Sequence, residues 1–404
     1  MSELSSRERF TLRPEQVTLP AGHVLARVPA IGVAVAVLAL LVSIALVSAD
    51  GRRQFLFSWL VAYLFFLSLA LGATYFVLMQ YATQAGWSVV LRRTAENVMG
   101  TLPLFALLCI PILLGLSDLY PWTARGDDPL LRVKAPYLNE PFFLVRAAIY
   151  IGVWSTIGLV WSRASRRQDT SGDVIISARL RRWSGPALLA LAVTQTFAAI
   201  DWTQSLEPHW YSTVFGVYFF AGSMVSFLAL LALAAAGWSA SELLGAVVTR
   251  EHLHDTGKLL FGFTCFWAYI AFCQFFLMWY ANLPEETVWY RARLEGTWYG
   301  VSVLLAAGHF VIPFFFLMPR AVKRNRGAMA VGAAWMLVMH YIDVYWQVMP
   351  VLRPGGVQPT LMDLSTLVAV GGSVVAAAGM AVRRSALVPL RDPRLPESLS
   401  FENG

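Results

Sequence analysis

Ten mainly apolar runs, each about as long as a bilayer's hydrocarbon core is thick, leave this chain few possible folds. They lie at roughly 29–49, 55–79, 98–118, 142–162, 185–201, 212–236, 258–281, 297–318, 328–347 and 363–382. An α-helix needs about 20 apolar residues to cross that core. In lipid a spanning segment must satisfy its own backbone, so the choice is helix or closed barrel. The runs are solidly apolar and do not alternate, which disfavours a barrel. Composition agrees: 57% of the 404 residues are hydrophobic and 14% charged, against about 25% charged in soluble proteins. The expectation is an all-α integral membrane protein with about ten transmembrane helices. The fifth run is the shortest and ends at Asp201. The first follows a long polar segment and is longer than a signal-peptide core, so it reads as a retained anchor.

Arginine and lysine set the expected orientation. With the N-terminus inside, the inner segments hold 22 of the 31 basic residues, from Arg7, Arg9, Arg13 and Arg27 to Arg383, Arg384, Arg391 and Arg394. The outer segments hold eight, Arg125 among them, and Arg146 lies within the fourth run. Both termini are expected in the cytoplasm. The net charge of +7 is thereby a topology signal and calls for no nucleic-acid partner.

The second run reads SWLVAYLFFLS from Ser58 to Ser68, and the sixth reads STVFGVYFFAG from Ser212 to Gly222. Both carry a Phe-Phe pair at the same distance from the first Ser, and both lead into Gly-Trp-Ser, at Gly86–Ser88 and Gly237–Ser239. The echo suggests two related four-helix bundles, spans 2–5 (about 55–201) and spans 6–9 (about 212–347), with spans 1 and 10 flanking. Around the single membrane domain 29–382 lie a cytoplasmic segment 1–28 and a cytoplasmic tail 383–404.

Cys109, Cys265 and Cys273 are scattered through apolar runs. Without C-x-x-C or C-x-x-C-H there is no zinc ribbon and no covalent c-type haem. Three scattered cysteines do not make an ordinary iron–sulfur cluster. Phosphate-loop, dinucleotide, H-E-x-x-H and G-x-S-x-G signatures are absent too. No catalytic residue and no metal set is assigned, and whether the chain is itself an enzyme stays open.

Ionisable groups at membrane depth are costly and are therefore candidates for function. His309 and His340 fall mid-span in runs 8 and 9, which are joined by a short loop, so the two should face each other at similar depth. Asp343 follows His340 by one helical turn. Three readings compete: a b-type haem between the imidazoles, a proton relay or quinone-headgroup contact, or two neutral histidines satisfied locally. Gln274 lies mid-span in run 7, where a buried amide serves equally well as glue between helices. Glu96 begins run 3 at the inner side. Asp118 ends it at the outer side, where Arg146 could pair with it or snorkel to the interface. Pro103 and Pro111 could break run 3, with no matching break in the other half.

The corner between runs 5 and 6 places Asp201, Glu207 and His209 among aromatics. It reads as a quinone or proton-exit rim, or as a capping corner. The proline-rich loop from Tyr120 to Pro141 is expected to pack against something. Trp122, Trp202, Trp210, Trp289, Trp298 and Trp346 cluster near outer ends, as an interfacial belt would.

Three stretches carry a resemblance: Phe57 to Met99, Asp201 to Gly222, and Phe266 to Tyr290. They are similar to ActF, a family of ten-span membrane subunits of the bacterial quinol:cytochrome c oxidoreductase called alternative complex III. The most specific parts are polar: Asp201-Trp202 with Pro208-His209-Trp210-Tyr211-Ser212, and Trp279-Tyr280-Ala281-Asn282-Leu283-Pro284-Glu285-Glu286. The resemblance spans about residues 20 to 380. It implies an NrfD-like fold of two four-helix bundles plus two flanking helices, in a bacterial inner membrane. It implies partners as well: an iron–sulfur subunit, c-type cytochromes and a second ten-span subunit, with haem and clusters on those chains. For this chain it implies quinone (menaquinone or another) as a bordering ligand, and a route for protons. Alternatives left open are a b-type cytochrome using His309 and His340, a stand-alone secondary transporter, and a purely structural subunit.

Overall fold

The computed structural model describes residues 12–20, 22–124 and 127–403; Arg7, Arg9 and Arg125 lie outside them. No strand occurs among the described residues. Ten helices are long and apolar enough to cross a membrane: α1 Val24–Ala49, α2 Arg52–Ala82, α3 Val89–Leu114, α4 Glu140–Ser171, α5 Val174–Leu206, α6 Phe215–Ala240, α7 Arg250–Ala281, α8 Trp298–Leu317, α9 Arg326–Val351 and α10 Leu361–Arg383. The chain is an all-α multi-pass membrane protein. Several helices extend well past their apolar runs, because helical hydrogen bonding continues into water once a cap is found. The fifth shows this best. It is a 33-residue helix, capped where the Asp173 carboxylate accepts from the Ile175 N–H at 2.9 Å.

The α2–α5 helices pack together, as do α6–α9, while α1 pairs with α10, which docks on α2. The two groups meet chiefly where α2 and α6, running in the same direction, cross. At Gly72 a Cβ would stand 2.1 Å from the Ser223 carbonyl oxygen and 2.6 Å from the Phe227 Cβ. Only glycine permits that approach, the device by which membrane helices gain van der Waals contact when lipid offers no hydrophobic drive. Gly32 and Gly372 bring α1 against α10 in the same way.

Two helices are irregular. As the prolines suggest, α3 is broken into Val89–Met99, Leu104–Leu108 and Ile110–Leu114. The second irregularity, in α8, had no sequence expectation. There Ala306–Val311 forms a π-helical turn. Its cause is Pro313, four residues beyond His309, which has no N–H to give the His309 carbonyl. The neighbouring Gly308 carbonyl instead accepts from Trp335 Nε1 at 2.7 Å.

The two ends of the described chain meet at one end of the bundle, where the Leu387 N–H donates to the Val17 carbonyl at 2.7 Å. The loop after α3 folds onto the 201–212 corner at the opposite end: Lys134 Nζ donates to the Pro208 carbonyl at 2.6 Å and Trp122 Nε1 to Ser205 Oγ at 3.3 Å. The expected belt of tryptophans is corrected. Trp122, Trp202, Trp210, Trp289, Trp298 and Trp346 are all buried. Trp289 stacks on Trp210 at 4.5 Å and meets Trp346 edge-on. They pack inside the protein at this end, ring against ring, instead of facing lipid.

Candidate functional site

Antiparallel α8 and α9 bring His309, His340 and Asp343 together, all buried, with one candidate donor atom from each lying within 4.8 Å of the other two. The π-turn sets His309, since a widened turn rotates the side chain relative to an unbroken α-helix. Its ring stacks on Trp267 of α7, centroids 3.7 Å apart, and neither ring nitrogen has a protein partner. Ser68 of α2 shares a hydrogen bond of 2.8 Å with His340 Nε2, while Nδ1 is unpartnered. Gly222 of α6 lies against the same ring: a Cβ there would stand 3.0 Å from His340 Cε1. Asp343 accepts from the Tyr218 hydroxyl of α6 and from Trp267 Nε1 at 3.3 Å.

Five helices thus build one enclosed cluster, and its chemistry can be weighed. A porphyrin between the two histidines does not fit, because it would have to displace Trp267 from the His309 ring or α6 from Gly222. Two imidazoles and a carboxylate are a plausible donor set for a divalent metal, but both Asp343 oxygens already accept hydrogen bonds and His340 Nε2 is engaged by Ser68. What the arrangement offers most directly is two neutral imidazoles, each able to take one proton and with three ring nitrogens between them unpartnered, beside a tyrosine and a carboxylate.

Beside the cluster lies a cleft of about 610 Å³ between α7 and α8. Its walls are almost wholly apolar, among them Phe275, Ala306 and Phe310, and Tyr218 and Trp267 form part of its lining. Gln274, Tyr290, Ser302 and Trp346 supply its polar atoms towards the end away from the termini. Tyr269 and Phe272, also in the lining, are exposed, so the cleft opens on the apolar outer face of the bundle. The same two side chains, Tyr218 and Trp267, therefore face the cleft and hydrogen-bond Asp343.

The other candidates part company with this site. Gln274 lines the cleft and ties helices together, accepting from Ser212 Oγ and donating to Tyr290 Oη, both at 3.0 Å. Asp201 and His209 do not form a shared rim. Asp201 is buried and takes Arg146 Nε and NH2 at 2.7 and 2.9 Å and the Tyr150 hydroxyl at 2.7 Å. His209 is exposed against Asp128 at 2.9 Å. Arg146 neither pairs with Asp118 nor snorkels: it is buried with Asp201, while Asp118 pairs with Arg52 at 3.1 Å. Glu96 is buried near the termini end between Arg92 and Arg93, at 3.3 and 3.5 Å, far along the chain from the central cluster.

Sequence reasoning missed several residues. Tyr218, Trp267, Ser68 and Gly222 complete the site. Arg293 is fully buried, donating to the Trp346, Gln347 and Trp289 carbonyls and to Glu207 at 2.7 Å; burial pulls its guanidinium below its usual value, opposed by Glu207. Asp363 is buried where Ser58, Gln54 and the Thr360 N–H donate to it. The Ser68–Gly222 alignment in the echo was the one available signal. No family model matches the chain, and no curated protein does either.

Proposed function

We propose that this chain is a membrane subunit of a bacterial respiratory quinol:cytochrome c oxidoreductase of the alternative complex III kind, bordering quinone in the α7–α8 cleft and handling its protons through Asp343, His340 and His309. The observation that carries the reading is the shared wall: Tyr218 and Trp267 line a lipid-facing apolar cleft and hydrogen-bond a buried carboxylate beside two buried imidazoles. An isoprenoid tail suits such a cleft, and a polar head ring suits its Gln274–Tyr290 end. Oxidation of a quinol to a quinone releases two electrons and two protons. The chain holds no redox motif, so the electrons pass to clusters and haems on partner subunits: the iron–sulfur subunit and the c-type cytochromes, with a second ten-span subunit alongside. The protons need acceptors within a water's reach of one another, and the cluster's candidate atoms lie within 4.8 Å. The Lys/Arg asymmetry supports termini in the cytoplasm; in that orientation the cleft's polar end faces outward.

The test is purification through a tag on this chain, from native membranes in mild detergent. The expected preparation carries c-type haem absorbance, iron–sulfur signals and extractable quinone, and oxidises quinol with cytochrome c. In liposomes, Asp343→Asn should lower proton release per electron while the assembled complex survives. A preparation free of haem and quinone, or an unchanged proton stoichiometry in that variant, would refute the proposal. A bound divalent metal is the second reading, favoured by the 4.8 Å clustering; elemental analysis decides it, through a stoichiometric metal that His309→Ala removes.

A further inference from the structure

We propose that the groove between α4 and α5, at the end bearing the termini, is a binding site for an anionic phospholipid, phosphatidylglycerol or cardiolipin. A second cleft, of about 920 Å³, lies there. Arg163 and Arg167, one turn apart on α4, and Arg179 on α5 all line it. None of the three side chains has an ion pair or hydrogen bond among the described residues. The acids of the adjoining turn are committed elsewhere, Asp169 to Arg93 and the Leu390 N–H, and Asp173 to the cap of α5. The rest of the lining is mainly apolar, running up α4 as far as Gly152, where a Cβ would meet nothing within 4 Å. Trp183 lies on the α5 wall and is 61% exposed, as suits an indole at the headgroup level.

Dimensions and charge select the occupant. From Gly152 to Arg167 along a helix is about 22 Å, roughly half of a bilayer measured with its headgroups. An amphiphile with one anionic end and apolar chains along its length matches that layout. A zwitterionic headgroup would leave the three cations uncompensated, and basic pockets between helices at the positively charged face are where anionic headgroups bind.

Native mass spectrometry of the purified protein, incubated with phosphatidylglycerol, cardiolipin or phosphatidylcholine of matched chains, tests this. Each arginine near the surface is expected to contribute roughly fivefold in affinity at low salt. The triple variant Arg163→Gln/Arg167→Gln/Arg179→Gln should therefore bind anionic lipid about a hundredfold more weakly. A control, Arg326→Gln/Arg383→Gln/Arg384→Gln, removes as much charge from the same end and should stay within about twofold. Equal losses in the two variants, or equal binding of phosphatidylcholine by the wild type, would overturn the proposal. A photoreactive residue at Thr156, in the groove of an otherwise unaltered chain, supplies the second measurement. It should give an adduct with the mass of an anionic phospholipid; an adduct to a protein subunit would mean that the groove is a protein interface.

Discussion

Breaking the Arg146–Asp201 pair separates a structural role for the 201–212 corner from a functional one. Asp201 is 1% exposed and accepts three hydrogen bonds, two from Arg146 and one from Tyr150. Arg146 also donates to the Tyr137 carbonyl at 2.8 Å and sits 3.9 Å over the Tyr137 ring. Asp201→Asn leaves that guanidinium buried with no counter-charge. Removing one partner of a buried pair typically costs about 3–5 kcal/mol; the carbonyl and ring contacts that remain place the expectation at the lower end, about 3 kcal/mol. Arg146→Leu should cost at least as much, because it strands the carboxylate. The double variant Arg146→Leu/Asp201→Leu removes both charges, so it should fall well short of the sum of Arg146→Leu and Asp201→Leu, with a coupling above about 1 kcal/mol. Unfolding in mixed detergent and dodecyl sulfate, followed by fluorescence of the 15 tryptophans, measures the wild type and the four variants. Single variants within about 0.5 kcal/mol of wild type, or strictly additive effects, would refute the buried-pair account. On the proposed function, quinol oxidation per folded molecule should be unchanged in the double variant; its loss would return the corner to the functional candidates.

Three further outcomes are expected. Gly72→Ala places a Cβ 2.1 Å from a backbone oxygen, so α2 and α6 must part; a loss of about 1–3 kcal/mol is expected in the same unfolding assay. Trp267→Phe keeps an aromatic ring on His309 and deletes the N–H that reaches Asp343; on the proposed function, proton yield should fall more than quinone binding, measured by quinone extracted per protein. Truncation after Arg384 removes Asp392 from buried Arg92 and Ser398 from the Val90 N–H, the Trp87 carbonyl and His252; the shortened protein should unfold at lower temperature in detergent, and a midpoint equal to wild type would show that the tail is dispensable.

The membrane spans were legible because a bilayer imposes one length and one polarity on everything that crosses it, and local composition reports both. Helix ends were less so. α5 runs back to Val174 because Asp173 caps it and Gly172, at φ 67°, turns the chain, neither of which hydropathy registers. Pairing of buried charges was least legible. Asp118 and Asp201 both end apolar runs at the same predicted face as Arg146, and sequence separation does not say which of them the α4–α5 packing brings to it. Tryptophan misled for a related reason: residues at helix ends can point to lipid or to the neighbouring bundle, and only packing chooses. The His309–His340–Asp343 cluster was readable because a short loop fixes two helices as antiparallel neighbours, which converts depth along the sequence into proximity.

What the sequence held without disclosing was the other side of that cluster. The echo aligns Ser58–Ser68 with Ser212–Gly222, and its last positions are Ser68 and Gly222. In the fold these two positions, on parallel helices of the two four-helix groups, lie against the same ring: Ser68 hydrogen-bonds His340 and Gly222 gives it room. The helices cross close by, where Gly72, one turn beyond Ser68, meets Ser223 and Phe227. Matching positions with different side chains therefore serve one histidine, one as a hydrogen-bond partner and one as space. A pair of like units would by itself give two equal sites, yet His309, His340 and Asp343 all come from the second group. That asymmetry goes with a cleft on the cluster's own side, beside α7 and α8. It also places the features that shape the cluster where the two matching stretches differ, Gly222 against serine, and at the turn before Pro313 that sets His309.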